Sequence, residues 1–270
     1  MKDFSYSWIS QCLAGEGKFN EALEIARLIG KEEIKSNALS EIVVSFSDNK
    51  QYEMARAISD SIMGSFLRTW SLVEIGKRLF ENGKREGALI ILEKAFDFAK
   101  LIEDQEERDN SLDAVSSGFA KMEENERAMA ISDMISNDWT RARAYKNIAD
   151  AYIELGDSAQ AQIPLEKAYG LAIKVEDVDD FNRYRFFAGL GTRFFKAGDY
   201  EKGIQIIRSI DSDIPKIRSL AWIAFRYAER EKTEEADKLF SEALAISMEI
   251  EEPYYKAIAL SSFGWAHAEE

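Results

Sequence analysis

The 270-residue sequence is poor in cysteine and histidine, with only Cys12 and His267. A single thiol excludes a disulfide framework and a thiolate metal cluster within the chain, and favours a reducing compartment. Histidine is the residue that general acid–base and nucleophilic catalysis recruit most often, and this sequence has only one. The sequence therefore predicts a protein that is not an enzyme and that has no cofactor and no metal site.

Long apolar runs are also missing. No window of the sequence approaches the ~20 uninterrupted apolar residues that a membrane-spanning helix needs. The first eight residues, Met1 to Trp8, lack the basic start and long apolar stretch of a secretory signal. We therefore expect a cytoplasmic protein that has no membrane partner.

Basic residues are outnumbered, with 35 Lys and Arg against 49 Asp and Glu and a net charge of -14. A protein of this charge has no general source of affinity for a phosphate backbone, so nucleic acid is not expected as a partner. The acidic clusters, such as residues 103–109, lack the alternate ligand positions and central glycine of a calcium loop. They are predicted to be solvated turns.

What the sequence does contain is an internal repeat, marked by a small residue that recurs at separations of 33, 33, 40, 33, 42 and 33. This series consists of Ala22, Ala55, Ala88, Ala128, Ala161, Gly203 and Ala236. A second, mostly small series lies twelve residues upstream: Ser10, Val43, Gly76, Ser116, Ala149, Gly191, Ala224 and, in a final half repeat, Gly264. Repeats of this length are typical of stacked supersecondary units.

Large apolar residues flank the upstream small series at spacings of three and four, which places them on one helical face. Each repeat is therefore predicted to be an antiparallel pair of helices, A then B, whose small residues let the backbones approach. Repeats start near residues 3, 36, 69, 109, 142, 184 and 217, and a terminal helix is predicted at about 254–270. Each predicted helix B ends in a short pattern of small and apolar residues. In the longer repeats this pattern lies seven residues later in the sequence, about two helical turns, which predicts longer B helices.

Turn residues agree with these boundaries. Gly83, Gly156 and Gly198 stand where helix A should end. Asp157 and Asp199 follow as candidate caps of helix B.

The segment 142–168 carries the pattern most completely, through Tyr145, Ile148, Ala149, Tyr152, Gly156, Ala161, Leu165 and Ala168. This pattern resembles the tetratricopeptide repeat (TPR), although the usual closing proline is absent, and the resemblance covers nearly the whole chain. It implies membership of the TPR-like superfamily and an all-α fold. The expected architecture is a right-handed α-α superhelix, or solenoid, of about seven helix pairs plus a terminal helix, forming a single domain over 1–270.

The resemblance also implies a function, because TPR-like solenoids hold proteins or peptides on a concave face lined by the A helices. Positions two, five, six, nine, twelve and thirteen of each repeat point into that face. Basic and polar candidates at these positions are Arg143, Lys146, Asn147, Arg185, Lys196 and Arg218. Aromatic candidates are Trp70, Phe80, Phe195, Trp222, Phe225 and Trp265. Arginine and aromatic side chains are common interface anchors, so we expect a scaffold for a partner protein or extended peptide with acidic groups.

Alternatives remain open at this point. The arginines could instead pair with nearby Asp and Glu side chains, and some aromatic residues could be buried between repeats. The chain could also be a peptide-sensing regulator, or a homo-oligomeric assembly protein that dimerises through its terminal helix.

Overall fold

The computed structural model describes residues 2–265, and within them the secondary structure is entirely helical. The all-α class is therefore confirmed. The fifteen helices are α1 (Lys2–Gly15), α2 (Phe19–Arg27), α3 (Glu32–Asp48), α4 (Tyr52–Asp60), α5 (Ser65–Glu81), α6 (Arg85–Lys100), α7 (Gln105–Lys121), α8 (Asn125–Ser132), α9 (Asp138–Glu154), α10 (Ser158–Ala172), α11 (Asp180–Lys196), α12 (Tyr200–Arg208), α13 (Asp213–Ala228), α14 (Thr233–Glu249) and α15 (Pro253–Trp265).

In chain order these are seven helix pairs and a terminal helix, as the repeat predicts. The odd-numbered helices are the A helices and the even-numbered ones are the B helices. The A helices from α3 to α13 each begin four residues before the predicted repeat start, as α3 does at Glu32, and α15 begins at Pro253, one residue before its predicted start. The end of the predicted terminal helix, 266–270, lies outside the described residues, and His267 lies there too.

The chain divides into two compact units, Met1–Ala151 (unit 1) and Tyr152–Glu270 (unit 2). In unit 1, the A helices α1, α3, α5 and α7 each pack against their own B helix, and successive members of this set pack against one another. In unit 2, α11 packs on α12 and α13, and α13 packs on α14 and α15. The organisation as one continuous solenoid stays a prediction.

B helices differ in length as the displaced apolar strings predict. Helices α6, α10 and α14 have 16, 15 and 17 residues, whereas α2, α4, α8 and α12 have 9, 9, 8 and 9. The added residues amount to about two turns, so the face that packs on the A helices is preserved.

Small residues occupy the places where helices A and B cross. Ala22, Ala55, Ala88 and Ala128 are fully buried. Helices α11 and α12 approach closely, since a Cβ atom added to Gly203 would lie 2.6 Å from the carbonyl oxygen of Gly191. The backbones are therefore in contact at this crossing.

Every A-to-B turn contains one residue in the left-handed backbone region, at the fifteenth position of its repeat. Four of these are glycines: Gly17, Gly83, Gly156 and Gly198, with φ between 75° and 89°. The other three are Lys50, Glu123 and Glu231, with φ of 62°, 66° and 60°. The predicted turn glycines are thus confirmed, and the caps are too, since Asp157 accepts a hydrogen bond from the Gln160 amide and Asp199 from the Lys202 amide.

The three non-glycine turns lead to a prediction about stability. Replacing Lys50, Glu123 and Glu231 by glycine should raise the free energy of unfolding by about 0.5–1 kcal/mol per site. The reason is that relief of left-handed strain, ~1–2 kcal/mol, exceeds the entropic cost of the more flexible residue. The matched alanine variants keep a Cβ and should show no gain. Urea denaturation of both sets tests this, and equal stabilities would show that the turns are unstrained.

Candidate partner-binding surface

Arg143 projects from α9 in unit 1 and is held by two side chains of α7. Its Nε donates to Oδ2 of Asp113 at 2.7 Å, and its Nη2 donates to Oδ1 of Asn110 at 2.9 Å. The Arg143 side chain remains 42% exposed. For Arg143, the structure therefore shows the alternative that the sequence left open, which is an ion pair with an acidic residue of the same chain.

The neighbouring candidates Lys146 and Asn147 belong to the same network. Nδ2 of Asn147 donates to Asp113 at 3.5 Å, and Nζ of Lys146 donates to Asn147 at 2.9 Å and lies 3.7 Å from a carboxylate oxygen of Asp150. Burial raises the pKa of Asp113. The positive charges of Arg143 and, to a smaller extent, Lys146 oppose that rise. The basic groove residues of unit 1 are thus engaged by acidic and amide groups of their own chain.

Arg185 and Arg218 are placed differently, at equivalent positions of α11 and α13 in unit 2, and these two helices pack against each other. Both side chains are exposed. The Arg185 guanidinium lies 5.3 Å from the Phe181 ring centroid, and Nε of Arg218 donates to Oγ of Ser262 at 3.4 Å. Neither contact neutralises the positive charge.

Lys196 lies at the other end of α11, also exposed, with its Nζ 5.2 Å from the Trp222 ring centroid. Among the residues that the structure describes, none supplies a carboxylate to Lys196, Arg185 or Arg218. These three cations are therefore available to a partner, in contrast to Arg143.

Helical spacing gives these cations a common face. Arg185, Gly189, Thr192 and Lys196 recur at intervals of four, three and four, which is one stripe of α11. A Cβ atom built on Gly189 would meet only the Nη1 of Arg193, at 3.1 Å. The stripe thus carries a cation at each end, and between them the Arg193 guanidinium lies over Gly189 and donates to its carbonyl oxygen at 3.0 Å.

The charge of unit 2 is divided between its helices. Helix α11 carries four basic side chains and one acidic, and α13 carries three basic and one acidic. Helix α14, a B helix, carries five acidic and one basic. In a chain whose net charge is -14, positive charge is concentrated on the packed A helices of unit 2.

The prediction that Phe195 and Trp222 are aromatic anchors for a partner is wrong, because these residues are only 1% and 8% exposed. The Phe195 ring centroid lies 6.0 Å from that of Trp222, 5.1 Å from that of Tyr227 and 4.8 Å from that of Tyr200. These four rings fill the space between α11, α12 and α13, so neither predicted anchor is open to a ligand.

The other aromatic candidates keep some exposure. Trp70, Phe80 and Phe225 are half-buried, and the Arg85 guanidinium lies 5.5 Å from the Phe80 ring centroid. The side chain of Trp265 lies outside the described part of the structure. Trp70 and Phe80 belong to α5 of unit 1, whereas Phe225 belongs to α13 of unit 2.

Sequence reasoning missed three residues that shape these surfaces. Asn110 and Asp113 stand at the second and fifth positions of their repeat, which are groove positions. Their repeat positions could therefore have identified them as neighbours of Arg143. Phe181 precedes Arg185 by one helical turn and is exposed. Phe181 lies before the predicted repeat start near residue 184. It belongs to α11 because that helix begins at Asp180.

No helix between residues 2 and 265 is long and apolar enough to cross a membrane.

No protein-family model matches the chain, and no curated protein matches it. Among solved structures, the chain is similar to Ton1535 from Thermococcus onnurineus NA1, with 14% identity, a TM-score of 0.44, and coverage of 96% of this chain and 99% of that chain. It is also similar to a protein from Podosopora anserina named as a kinesin light chain with nearly identical TPR-like repeats. There the identity is 18%, the TM-score is 0.43, and the match covers 68% of this chain and 95% of that chain.

Proposed function

We propose that this protein is a binding scaffold that holds an acidic segment of a partner protein on the A helices of unit 2. The observation that carries the proposal is that Arg185, Lys196 and Arg218 are exposed and receive no carboxylate from the residues described. Arg143, at the same repeat position as the two arginines, is instead held by Asp113. The scaffold acts by binding alone and performs no chemistry.

The chemistry of these side chains supports an acidic partner. Guanidinium groups form paired hydrogen bonds with carboxylates, and Phe181 beside Arg185 adds an exposed apolar contact. Local positive charge on an acidic protein also steers acidic segments to one surface and repels them from the rest. The single thiol suits a reducing compartment, so we place this binding in the cytoplasm.

Charge reversal at the three cations tests the proposal. An array of acidic 12-residue peptides, with lysine-substituted copies as controls, would first identify a binding peptide. Fluorescence anisotropy would then compare the wild type with Arg185→Glu/Lys196→Glu/Arg218→Glu. We expect the affinity to fall by about tenfold or more, since removing an interfacial charge-assisted contact costs roughly 2 kcal/mol and reversal adds repulsion.

A matched control has the same change in net charge. Arg27, Arg56 and Lys174 are exposed basic residues outside the A helices. Their replacement by glutamate should change the affinity less than about twofold in 0.15 M salt, where distant charges are screened. Circular dichroism would confirm that both triple variants fold. Equal loss of binding in the two variants, or no acidic peptide that binds, would refute the proposed site.

A further inference from the structure

Twice along the chain, a long B helix stands beside a shorter B helix of the next repeat: α6 beside α8 in unit 1, and α10 beside α12 in unit 2. An equivalent ion pair joins the two helices in each case, Glu93 with Arg127 in unit 1 and Glu166 with Lys202 in unit 2. The longer helix continues for about two turns after its neighbour has ended. Both places therefore have space beside the end of the longer helix.

Hydrogen bonds close this space in unit 1. Asp109 of α7 is 2% exposed, and its carboxylate accepts from the backbone amides of Ser136 and Asn137 at 3.0 and 2.8 Å. Nε2 of Gln105, the first residue of α7, also donates to Asp109 at 3.0 Å. The connection that follows α8 is thus tied to the start of α7.

The equivalent positions of unit 2 carry residues that make none of these bonds. Tyr184 replaces the buried aspartate. Asp180 replaces the glutamine, and Asp211 replaces the serine. Asp180 and Asp211 are exposed, and their carboxylates receive no hydrogen bond or ion pair from the residues that the structure describes. The space beside the end of α10 is therefore left open.

A cavity of about 310 Å³ occupies this space, a volume at the lower end of the range for small-ligand sites. Its walls come from α10, the first turns of α11 and the connection between α12 and α13. Three of the lining side chains are aromatic, two are acidic and one is a hydroxyl: Tyr169, Tyr184, Phe187, Asp180, Asp211 and Ser209. The ring centroids of Tyr169 and Phe187 lie 6.2 Å apart at an interplanar angle of 84°.

One basic side chain, Arg183, also lines the cavity, and the fold already uses it. Its Nη1 donates to the carbonyl oxygen of Val175 beyond the end of α10, as Nη1 of Arg108 donates to that of Ile102 beyond the end of α6. The Arg183 guanidinium lies 5.6 Å from the Phe187 ring centroid. With two acidic side chains and one basic, the lining has a formal charge of -1.

The two carboxylates act on the same part of the cavity. Burial raises the pKa of Tyr184, the charges of Asp180 and Asp211 raise it further, and the charge of Arg183 opposes the rise. The connection 173–180 adds to the negative potential, with four acidic residues and one basic. Carboxylates and aromatic ring faces together form a favourable environment for an organic cation.

We propose that this cavity binds a small organic ammonium ion, a protonated amine attached to an aromatic body. Asp180 and Asp211 would hold the ammonium group, and Tyr169 and Tyr184 would contact the body. Successive helical residues turn by about 100°, so Tyr184 and Phe187 lie on the side of α11 away from the Arg185 stripe. The site is thus separate from the surface proposed for an acidic segment, and its ligand has the opposite charge.

Tryptamine provides the probe, with two analogues that keep its indole ring, the uncharged tryptophol and the anionic indole-3-propionate. Isothermal titration calorimetry on the full chain at neutral pH should show that tryptamine binds about tenfold more tightly than tryptophol or better. Indole-3-propionate should not bind. The variant Asp180→Asn/Asp211→Asn should weaken tryptamine binding by about tenfold or more, because the charge-assisted contacts are lost.

The control variant Asp237→Asn/Glu249→Gln removes the same charge from exposed positions of α14. It should leave the affinity for tryptamine within about twofold of the wild type. Charge reversal at Arg185, Lys196 and Arg218 should not weaken tryptamine binding, so this proposal and the proposed function can fail separately. The inference is overturned if tryptamine does not bind, if it binds no more tightly than tryptophol, or if the two acidic-residue variants weaken it equally.

A lysine derivative, Nα-acetyl-lysine methylamide, distinguishes two sources of the ammonium group. We expect it to bind less tightly than tryptamine, because its aliphatic chain offers no ring to the aromatic wall. Tighter binding of the lysine derivative would overturn the assignment to a small aromatic amine, in favour of a lysine side chain of a partner protein.

Discussion

Replacing Phe195 by alanine is expected to lower the free energy of unfolding by about 3–5 kcal/mol. The side chain is 1% exposed and contacts the rings of Tyr200, Trp222 and Tyr227, so its removal leaves a cavity among aromatic groups. Such a loss is a large part of the total stability of an ordinary domain. Urea denaturation followed by circular dichroism would measure it.

A nearby phenylalanine supplies the control for this result. Phe181 belongs to the same helix and is 66% exposed, so Phe181→Ala should change the stability by less than about 0.5 kcal/mol. If Phe195→Ala were as mild as Phe181→Ala, the Phe195 ring would lie outside the core, as the repeat frame predicted. The pair of variants therefore distinguishes a core residue from a groove residue directly.

Replacing Gly203 by alanine is expected to cost about 3 kcal/mol, at the upper end of the usual penalty for overpacking. The added Cβ would lie 2.6 Å from the Gly191 carbonyl oxygen and 2.9 Å from the Phe195 amide nitrogen. Both neighbours are backbone atoms, which cannot turn aside as a flexible side chain does. Relief of this clash requires α11 and α12 to move apart.

Gly170 is the matched control, since it lies inside α10 and a Cβ added there meets no atom within 4 Å. Gly170→Ala should raise the free energy of unfolding by about 0.5–1 kcal/mol, because alanine favours the helix more than glycine does. Thermal unfolding of the two variants should therefore shift in opposite directions. A Gly203→Ala protein as stable as the wild type would contradict the close approach of α11 and α12.

The sequence by itself determined the helices, their pairing along the chain and the lengths of the B helices. It could do so because the small residues and the apolar faces recur with the period of the helix pair, and a displacement of seven residues keeps the same helical face. The turns followed from glycines such as Gly83 and Gly156, although Lys50, Glu123 and Glu231 adopt the same backbone conformation without that signal.

Only the tertiary structure decided which candidate residues face a partner. Arg143 and Arg218 occupy the same repeat position, yet Arg143 is paired because a neighbouring helix presents Asp113, whereas Arg218 contacts the neutral Ser262. Phe195 and Trp222 occupy groove positions, yet the packing of α11, α12 and α13 buries them. A repeat period fixes the direction of a side chain on its own helix. The exposure and charge of that side chain depend on the residues of neighbouring helices, which the period does not specify.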